Sequence, residues 1–285
     1  MHISILPPSP HLQPFVEVYL DLHSETGEVG RKEESFRLFP NPLLSMAFSY
    51  GAVKASVQLE GRERFISPSY SLGGSCSRPK EYVWQGEMHT FAIAFKPWGV
   101  RSLTRFPLQE TTNQHIDLHH IFGNRLSGIE ERLCACHSPY ERRGVVEAFL
   151  SSELMEHRED CLVIDAVEQI ARAKGSIHVQ KMADHYGLSR KQFVRRFQET
   201  TGLPPKLFSR ITRFQHTLSL LNGPVRHIEV AYESGYFDQA HYTKEFRELT
   251  GISPGKFFST LQRSRLGEEF DQAAPMSPFY NAIYQ

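Results

Sequence analysis

The sequence predicts an α+β fold in two domains. An N-terminal β-barrel or β-sandwich with trailing helices precedes an all-α domain, in which a long helix bridges two helix-turn-helix units. Short apolar runs between Pro and Gly residues fill the first half, and one segment of the second half is repeated. With 285 residues and 40% hydrophobic content, the chain can fill two cores. We place the domains at residues 1–158 and 159–263, followed by a tail at 264–285.

The repeat lies in residues 195–208 (RRFQETTGLPPKLF) and 244–257 (KEFRELTGISPGKF). Six positions are identical at an offset of 49 residues, and they are Phe197/Phe246, Glu199/Glu248, Thr201/Thr250, Gly202/Gly251, Pro205/Pro254 and Phe208/Phe257. Upstream, Ala183 and Gly187 match Ala231 and Gly235 at an offset of 48. A repeat of this kind indicates one supersecondary unit used twice.

Each copy has the pattern of two short helices joined by a tight turn. In the first copy, Gly187 can adopt the left-handed conformation that ends a helix, and Ser189 can cap the next one. Gly235 and Asp238 take these roles in the second copy. Helical spacing turns four aromatic residues inward, namely Phe193, Phe197, Tyr242 and Phe246. Ala183 and Ala231 fall where the helices cross and would let them approach closely. One such pattern also fits an αα-hairpin used only for packing, but its repetition favours helix-turn-helix units.

Two further helices complete this domain. Residues 162–173 predict a first helix, and residues 205–221 predict the bridging helix, which Asn222, Gly223 and Pro224 would end.

A longer motif covers the second unit. It consists of Val230, Ala231, Gly235, Tyr236, Asp238, Gln239, Ala240, Tyr242, Phe246 and Arg247, then Gly251, Ser253 and Pro254. With this motif, residues 161–262 resemble the DNA-binding domain of the AraC/XylS family of bacterial transcription regulators. Tyr236, Ala240 and Phe258 depart from the family's usual Phe, Ser and Arg, which affects the base contacts rather than the fold.

The resemblance implies a double-stranded DNA operator as partner and RNA polymerase as a second one. A rigid bridging helix would let both recognition helices enter successive major grooves about 34 Å apart. The residues expected to face the bases are Lys191, Val194, Arg195, Gln198, Gln239, Ala240, Thr243 and Lys244. The residues expected to meet phosphates are Ser189, Arg190, Arg210 and Arg213. For any one exposed Arg or Lys, plain solvation is the alternative.

Strand patterns dominate the first half. The candidate strands are residues 15–22, 37–39, 43–50, 54–59, 70–74, 82–84 and 89–95, which predict six to eight strands. Residues 5–14 are expected to wrap the surface and residues 26–34 to form a loop. Helical patterns follow at residues 100–103, 116–122, 125–133 and 140–154.

This half also resembles the sensor domains that precede AraC-type modules, through Pro14, Val16, Tyr19 and the run Phe95-Lys96-Pro97-Trp98-Gly99. The resemblance implies a small-molecule or protein effector, and trailing helices that pair two copies into a homodimer. Five aromatic residues could line the effector pocket or fill the core, namely Phe36, Phe48, Phe91, Phe95 and Trp98.

Charge is divided unevenly along a chain whose net charge is zero. Residues 161–263 carry 15 Lys and Arg against 9 Asp and Glu, whereas residues 1–160 carry 16 against 20. A basic second half fits a DNA-binding domain. Two alternatives remain: a DNA-repair enzyme targeted by AraC-type helices, and an architectural binder without sequence preference.

The Cys and His residues predict no metal site, cofactor or catalytic centre. Four cysteines suggest reduced thiols, and Cys134-Ala-Cys136-His137 is too tightly spaced for a zinc knuckle. His115, His119 and His120 could hold a metal from one helix face, but solvation or capping is the favoured interpretation. No signal peptide or membrane helix is indicated, so we expect a cytoplasmic, nucleoid-associated bacterial protein.

Overall fold

The structure, a computed structural model, describes residues 2–24, 34–50, 56–59, 65–84, 86–155, 160–221, 227–260 and 283–284. Strands dominate the first half and helices the second, so the predicted fold class is confirmed. Three predicted features lie outside the described residues: the helix stop at 222–224, most of the loop at 26–34, and nearly all of the tail.

The described strands form two antiparallel sheets that are not closed into a barrel, in the orders β1-β2-β9-β4-β7-β10 and β11-β3-β8-β5-β6. Their bounds are β1 His2–Leu6, β2 Val16–Ser24, β3 Glu34–Leu38, β4 Ser45–Tyr50, β5 Ser56–Leu59, β6 Phe65–Ile66, β7 Tyr70–Gly73, β8 Lys80–Trp84, β9 Met88–Phe95, β10 His115–Asp117 and β11 Ile283–Tyr284. The seven predicted strands are all present, at slightly different bounds.

The structure adds four strands and corrects two predictions. Residues 2–6 form an edge strand on β2, although part of this segment was expected only to wrap the surface. Residues 116–122 were predicted to be one helix, but His115–Asp117 pairs with β7 and only His119–Phe122 is helical. The pairing partner is more than forty residues away in the sequence, so the local helical spacing did not reveal it.

Both faces of the first sheet are apolar, and the side chains of β9 alternate between them. Phe91 and Phe95 are fully buried on one face, in a core that includes Phe149 of the trailing helices. Ala92 and Ala94 point to the other face and line a cavity between the two sheets. The trailing helices therefore cover one side of this sheet and the second sheet covers the other.

The helices follow in the predicted order. Their bounds are α1 His119–Phe122, α2 Ile129–Cys134, α3 Pro139–Glu153, α4 Cys161–Arg172, α5 Val179–His185, α6 Arg190–Thr201, α7 Pro205–Leu221, α8 His227–Glu233, α9 Gln239–Thr250 and α10 Pro254–Thr260. The bridging helix α7 has the predicted bounds. One apolar core joins the two halves, since Phe39 from the end of β3 packs against Phe257 of α10 with ring centroids 4.8 Å apart.

Candidate nucleic-acid interface

Helix α6 presents a polar face because its two aromatic residues both lie on the opposite side. Ser189 caps it in a capping box, with its hydroxyl accepting from the backbone N–H of Gln192. Phe193 and Phe197 are fully buried. The predicted base-facing residues occupy the other side, where Lys191 and Arg195 are exposed and Val194 and Gln198 are half-buried. Arg190 is also exposed.

Helix α9 repeats this arrangement. The Asp238 carboxylate accepts from the backbone N–H of His241 at 2.7 Å and caps the helix. Tyr242 and Phe246 are buried, as the spacing predicts. On the other side of the helix, Gln239, Ala240 and Lys244 are exposed and Thr243 is half-buried.

The turns before both helices have the predicted backbone geometry. Gly187 has φ +65° and Gly235 has φ +75°, both in the left-handed region. Ala183 on α5 and Ala231 on α8 are buried, as expected for residues where two helices cross. Helices α5 and α6, and again α8 and α9, are therefore two helix-turn-helix units.

The repeated residues at the end of α6 and of α9 make the same contacts. The hydroxyl of Thr201 donates to the Phe197 carbonyl at 3.0 Å, and that of Thr250 donates to the Phe246 carbonyl at 2.8 Å. Each hydroxyl also accepts a hydrogen bond from the backbone N–H of the residue two positions later. The ring centroids of Phe197 and Phe208 lie 5.3 Å apart, and those of Phe246 and Phe257 lie 5.2 Å apart. The sequence repeat thus corresponds to a repeat in structure.

Arg210 and Arg213 have intramolecular partners that the sequence did not indicate. Both donate from Nε to the Glu245 carboxylate at 3.0 Å. Arg210 also donates a hydrogen bond to the Glu248 carboxylate, and the Arg213 guanidinium lies 5.0 Å from the Tyr236 ring centroid. These residues link the bridging helix to α9, and a phosphate contact would have to share them with Glu245. More than thirty residues separate each Arg from Glu245, so helical spacing could not reveal the contact.

The N-terminal half contains a mainly apolar cavity between its sheets, with a volume of about 120 Å³. One lysine lines it: the Lys80 side chain is buried and its Nζ lies 3.3 Å from the Gly74 carbonyl. Burial lowers the pKa of the Lys80 amine. His115 also lines the cavity and shares a hydrogen bond with the Tyr82 hydroxyl at 3.2 Å. Burial, followed by the charge of Lys80, lowers the pKa of His115 to about 3.

Only one of the five aromatic residues proposed for a pocket lines this cavity. That residue is Phe36. Phe48, Phe91 and Phe95 are fully buried in the core under the trailing helices, and Trp98 donates from its indole nitrogen to the Pro14 carbonyl at 2.9 Å. Lys80 is not apparent from the sequence, because a single lysine in a short strand gives no sign that it is buried.

The Cys and His residues singled out in the sequence are dispersed. Within the part of the chain that the structure describes, Cys76, Cys134, Cys136 and Cys161 form no disulfide. His115 lies on β10, whereas His119 on α1 is hydrogen-bonded to Asp117 at 2.8 Å. The alternative in which His115 and His119 hold a metal from one helix face is therefore wrong, and the His119 backbone N–H instead donates to Asp117. Within the described ranges, no helix is long and apolar enough to cross a membrane.

Two protein families match parts of the chain. Residues 182–260 match a family described as "Helix-turn-helix domain", and residues 4–117 match a "Domain of unknown function (DUF6597)".

Two curated relatives and a solved structure are similar to it. An uncharacterized HTH-type transcriptional regulator of Haemophilus influenzae is 26% identical over 117 residues, which are 41% of this chain and 38% of that protein. The HTH-type transcriptional regulator MtrA of Neisseria gonorrhoeae is 33% identical over 81 residues, 28% of this chain and 27% of MtrA. ToxT from Vibrio cholerae has 12% identity and a TM-score of 0.44, with 85% of this chain and 97% of ToxT covered. The matched segments span less than half the length of the curated relatives.

Proposed function

We propose that this chain, whose residues 182–260 form a helix-turn-helix domain of the AraC type, is a sequence-specific DNA-binding transcription regulator and not an enzyme. The observation that carries the proposal is that both recognition helices bury their aromatic residues and turn hydrogen-bonding side chains outward. A pair of helices used only for packing has no need of that arrangement twice.

The outward side chains suit the base edges of a major groove. Lys191, Arg195 and Lys244 are donors for guanine O6 and N7, and Gln198 and Gln239 suit adenine. The side chains of Val194, Ala240 and Thr243 offer apolar contacts to the thymine methyl group. Ser189 and Arg190, at the start of α6, are placed for phosphate contacts that fix the register without selecting sequence. Arg210 and Arg213 would contact phosphates while they remain hydrogen-bonded to Glu245.

The experiment is operator selection followed by affinity measurement over a range of salt concentrations. Arg195→Ala should weaken specific binding by about 1–3 kcal/mol and relax one position of the site, and Gln239→Ala should relax a different one. Arg132→Ala removes an exposed arginine from α2 of the N-terminal half and should leave the selected sequence unchanged. If Arg195→Ala and Gln239→Ala both behave like Arg132→Ala, the proposed recognition surface is wrong. A ratio of specific to nonspecific affinity near one would indicate an architectural binder instead.

The cavity gives the N-terminal half a route to control the DNA-binding half. Leu38, Asn41 and Leu43 line the cavity. Between them, Phe39 packs on Phe257 of α10, which in turn packs on Phe246 of the second unit, and the Pro40 carbonyl accepts a hydrogen bond from the buried Gln215 side chain of the bridging helix. One short segment therefore borders the cavity on one side and contacts the DNA-binding domain on the other.

A second contact reaches the first helix-turn-helix unit. The Thr112 hydroxyl donates to the Gly202 carbonyl at 3.3 Å, and a Cβ placed on Gly202 would lie 3.0 Å from the Leu108 carbonyl oxygen. The neighbouring Thr111 carbonyl lies against Gly74, which lines the cavity and accepts from Lys80. Gly202 at the end of the first unit and Phe257 of α10 thus touch segments that continue into the cavity wall, which supports control through this domain.

We propose that the effector is an apolar molecule with one anionic group. The cavity wall is mainly apolar, and an anion beside Lys80 would compensate a buried amine that has no carboxylate partner among the described residues. Lys80→Met should remove the preference for an acid over its methyl ester in a binding screen. If the wild type and Lys80→Met bind the same ligands equally, Lys80 does not select the effector.

The remaining partners are proposed from family resemblance. They are RNA polymerase and a second copy of the chain, and we propose a cytoplasmic, nucleoid-associated location. The competing proposal of a DNA-repair enzyme predicts alkyl transfer to a cysteine, which mass spectrometry after incubation with alkylated DNA would detect.

A further inference from the structure

A row of imidazoles crosses the first sheet on the face turned away from the cavity. His2 on β1 pairs in register with His23 on β2, and His23 pairs with His89 on β9. Directly paired residues in antiparallel strands project to the same side of the sheet. The adjacent Leu22 and Met88 line the cavity, so these histidines point away from it.

The second and third histidines of this row converge with a carboxylate. Their ring centroids lie 4.0 Å apart. Glu87, two residues before His89, places Oε1 2.8 Å from Nε2 of His89 and 3.9 Å from Nε2 of His23. One ligand atom from each of the three side chains lies within 4.8 Å of the others. The Glu87 carboxylate therefore lies at hydrogen-bond distance from His89 and also close to the His23 imidazole.

These separations fit one shared ion. Bonds of about 2.0–2.1 Å in a tetrahedral zinc site place neighbouring ligand atoms about 3.3 Å apart, and the observed separations lie on both sides of that value. The side chains of His23, His89 and Glu87 are 36%, 23% and 49% exposed, so an ion can reach them from solvent. The nearby Asp21 carboxylate accepts from Arg142 at 3.0 Å and is already paired.

We propose that His23, His89 and Glu87 form a binding site for a divalent transition-metal ion, with Zn²⁺ as the best match. Two imidazole nitrogens and one carboxylate suit zinc and its neighbours, whereas Mg²⁺ and Ca²⁺ prefer oxygen ligands alone. His2, whose ring centroid lies 6.4 Å from that of His23, is placed to supply the fourth ligand from the edge strand. A bound ion would tie β1 to the centre of the sheet. The site is separate from the cavity and from the DNA-binding face.

The test uses the full chain after removal of metal with a chelator. Co²⁺ is the probe, because its visible absorption reports a tetrahedral environment, and Zn²⁺ is then added as competitor. One Co²⁺ should bind per chain and Zn²⁺ should displace it. His23→Ala, His89→Ala and Glu87→Gln should each lower affinity by about a hundredfold or more, because loss of an outer-shell partner alone costs about 10–100-fold and these residues are direct ligands. His2→Ala should weaken binding if that residue is the fourth ligand.

His119→Ala is the matched control, since His119 also contacts a carboxylate, Asp117, at 2.8 Å and is exposed. This variant should bind Co²⁺ like the wild type. Glu87→Gln is conservative at a half-exposed position, and its thermal midpoint without metal verifies that it folds. The proposal would be overturned if the wild type does not bind Co²⁺, or if Glu87→Gln and His89→Ala both bind it with wild-type affinity. Neither result depends on whether the chain binds DNA.

Discussion

The second recognition helix should depend on one buried carboxylate for its attachment to the bridging helix. The Glu245 side chain is 6% exposed and accepts from Nε of Arg213 and of Arg210, each at 3.0 Å. Replacing Glu245 by Ala removes the charge that both guanidinium groups face. We expect loss of stability and weaker binding of the operator half that α9 contacts, while the half contacted by α6 stays recognised.

The magnitude follows from the exposure of the two arginines. Removing one partner of a buried ion pair costs about 3–5 kcal/mol, because the other charge stays buried without compensation. The Arg210 side chain is 28% exposed and keeps Glu248 as a partner, so it contributes little to that cost. Arg213 is 14% exposed and is held against the Tyr236 ring. We therefore expect about 3 kcal/mol, at the lower end of the range for buried pairs.

Urea unfolding of the full chain measures this effect. The control is Glu199→Ala, which removes a carboxylate 3.9 Å from Arg195, whose side chain is 73% exposed. That change should alter stability by less than about 1 kcal/mol. The double variant Glu245→Ala with Arg213→Met removes the stranded charge and should be more stable than the sum of its single changes, by about 1–3 kcal/mol. If Glu245→Ala costs no more than Glu199→Ala, or if the double variant is additive, the pair does not hold the helix.

Three other predictions concern the cavity and the helix termini. His115 has a pKa of about 3 in the fold against about 6.5 when unfolded, so the unfolded chain binds the extra proton. The free energy of unfolding should then fall by up to about 1.4 kcal/mol per unit as pH drops from 6.5 towards 3; urea midpoints should show a shallower fall for His115→Gln but not for the exposed His120→Gln. Loss of the caps in Ser189→Ala or Asp238→Ala should cost about 0.5–2 kcal/mol each in thermal unfolding, and equal stability would show that solvent replaces them. Gly187→Ala should cost about 1–2 kcal/mol from its positive φ alone, since no atom lies within 4 Å of the added Cβ; a cost near zero in urea would contradict this.

The helical half could be predicted almost completely, because its determinants are local. Helix α7 is bounded by the predicted residues, and the caps Ser189 and Asp238 lie where the sequence placed them. Inward positions such as Phe197 and Phe246 follow from three- and four-residue steps. The repeat strengthened each of these assignments, since every signal had to appear twice.

The sheet half shows what local patterns omit. Strand β10 forms because Ile116 pairs with Leu72. The residues next to Ile116 in the sequence give no indication of this pairing. The histidine row has the same origin, since register alone brings His23 and His89 together. The burial of Lys80 depends on two sheets packing face to face. Cross-strand register and sheet packing are long-range, so these parts of the candidate sites required the structure.

The segment between β3 and β4 contacts both the cavity and the helical half of the chain. It is internally braced, because the Asn41 side chain accepts from the Leu43 N–H at 3.1 Å and its backbone exchanges two hydrogen bonds with Cys76. A braced segment transmits a displacement instead of absorbing it, since bending it would break those buried hydrogen bonds. Allosteric control needs an element with different contacts in two states. A ligand that moves Leu43 would therefore move Phe39 with it, and Phe257 of α10, which packs on both Phe39 and Phe246 of α9, would carry that movement to the second helix-turn-helix unit.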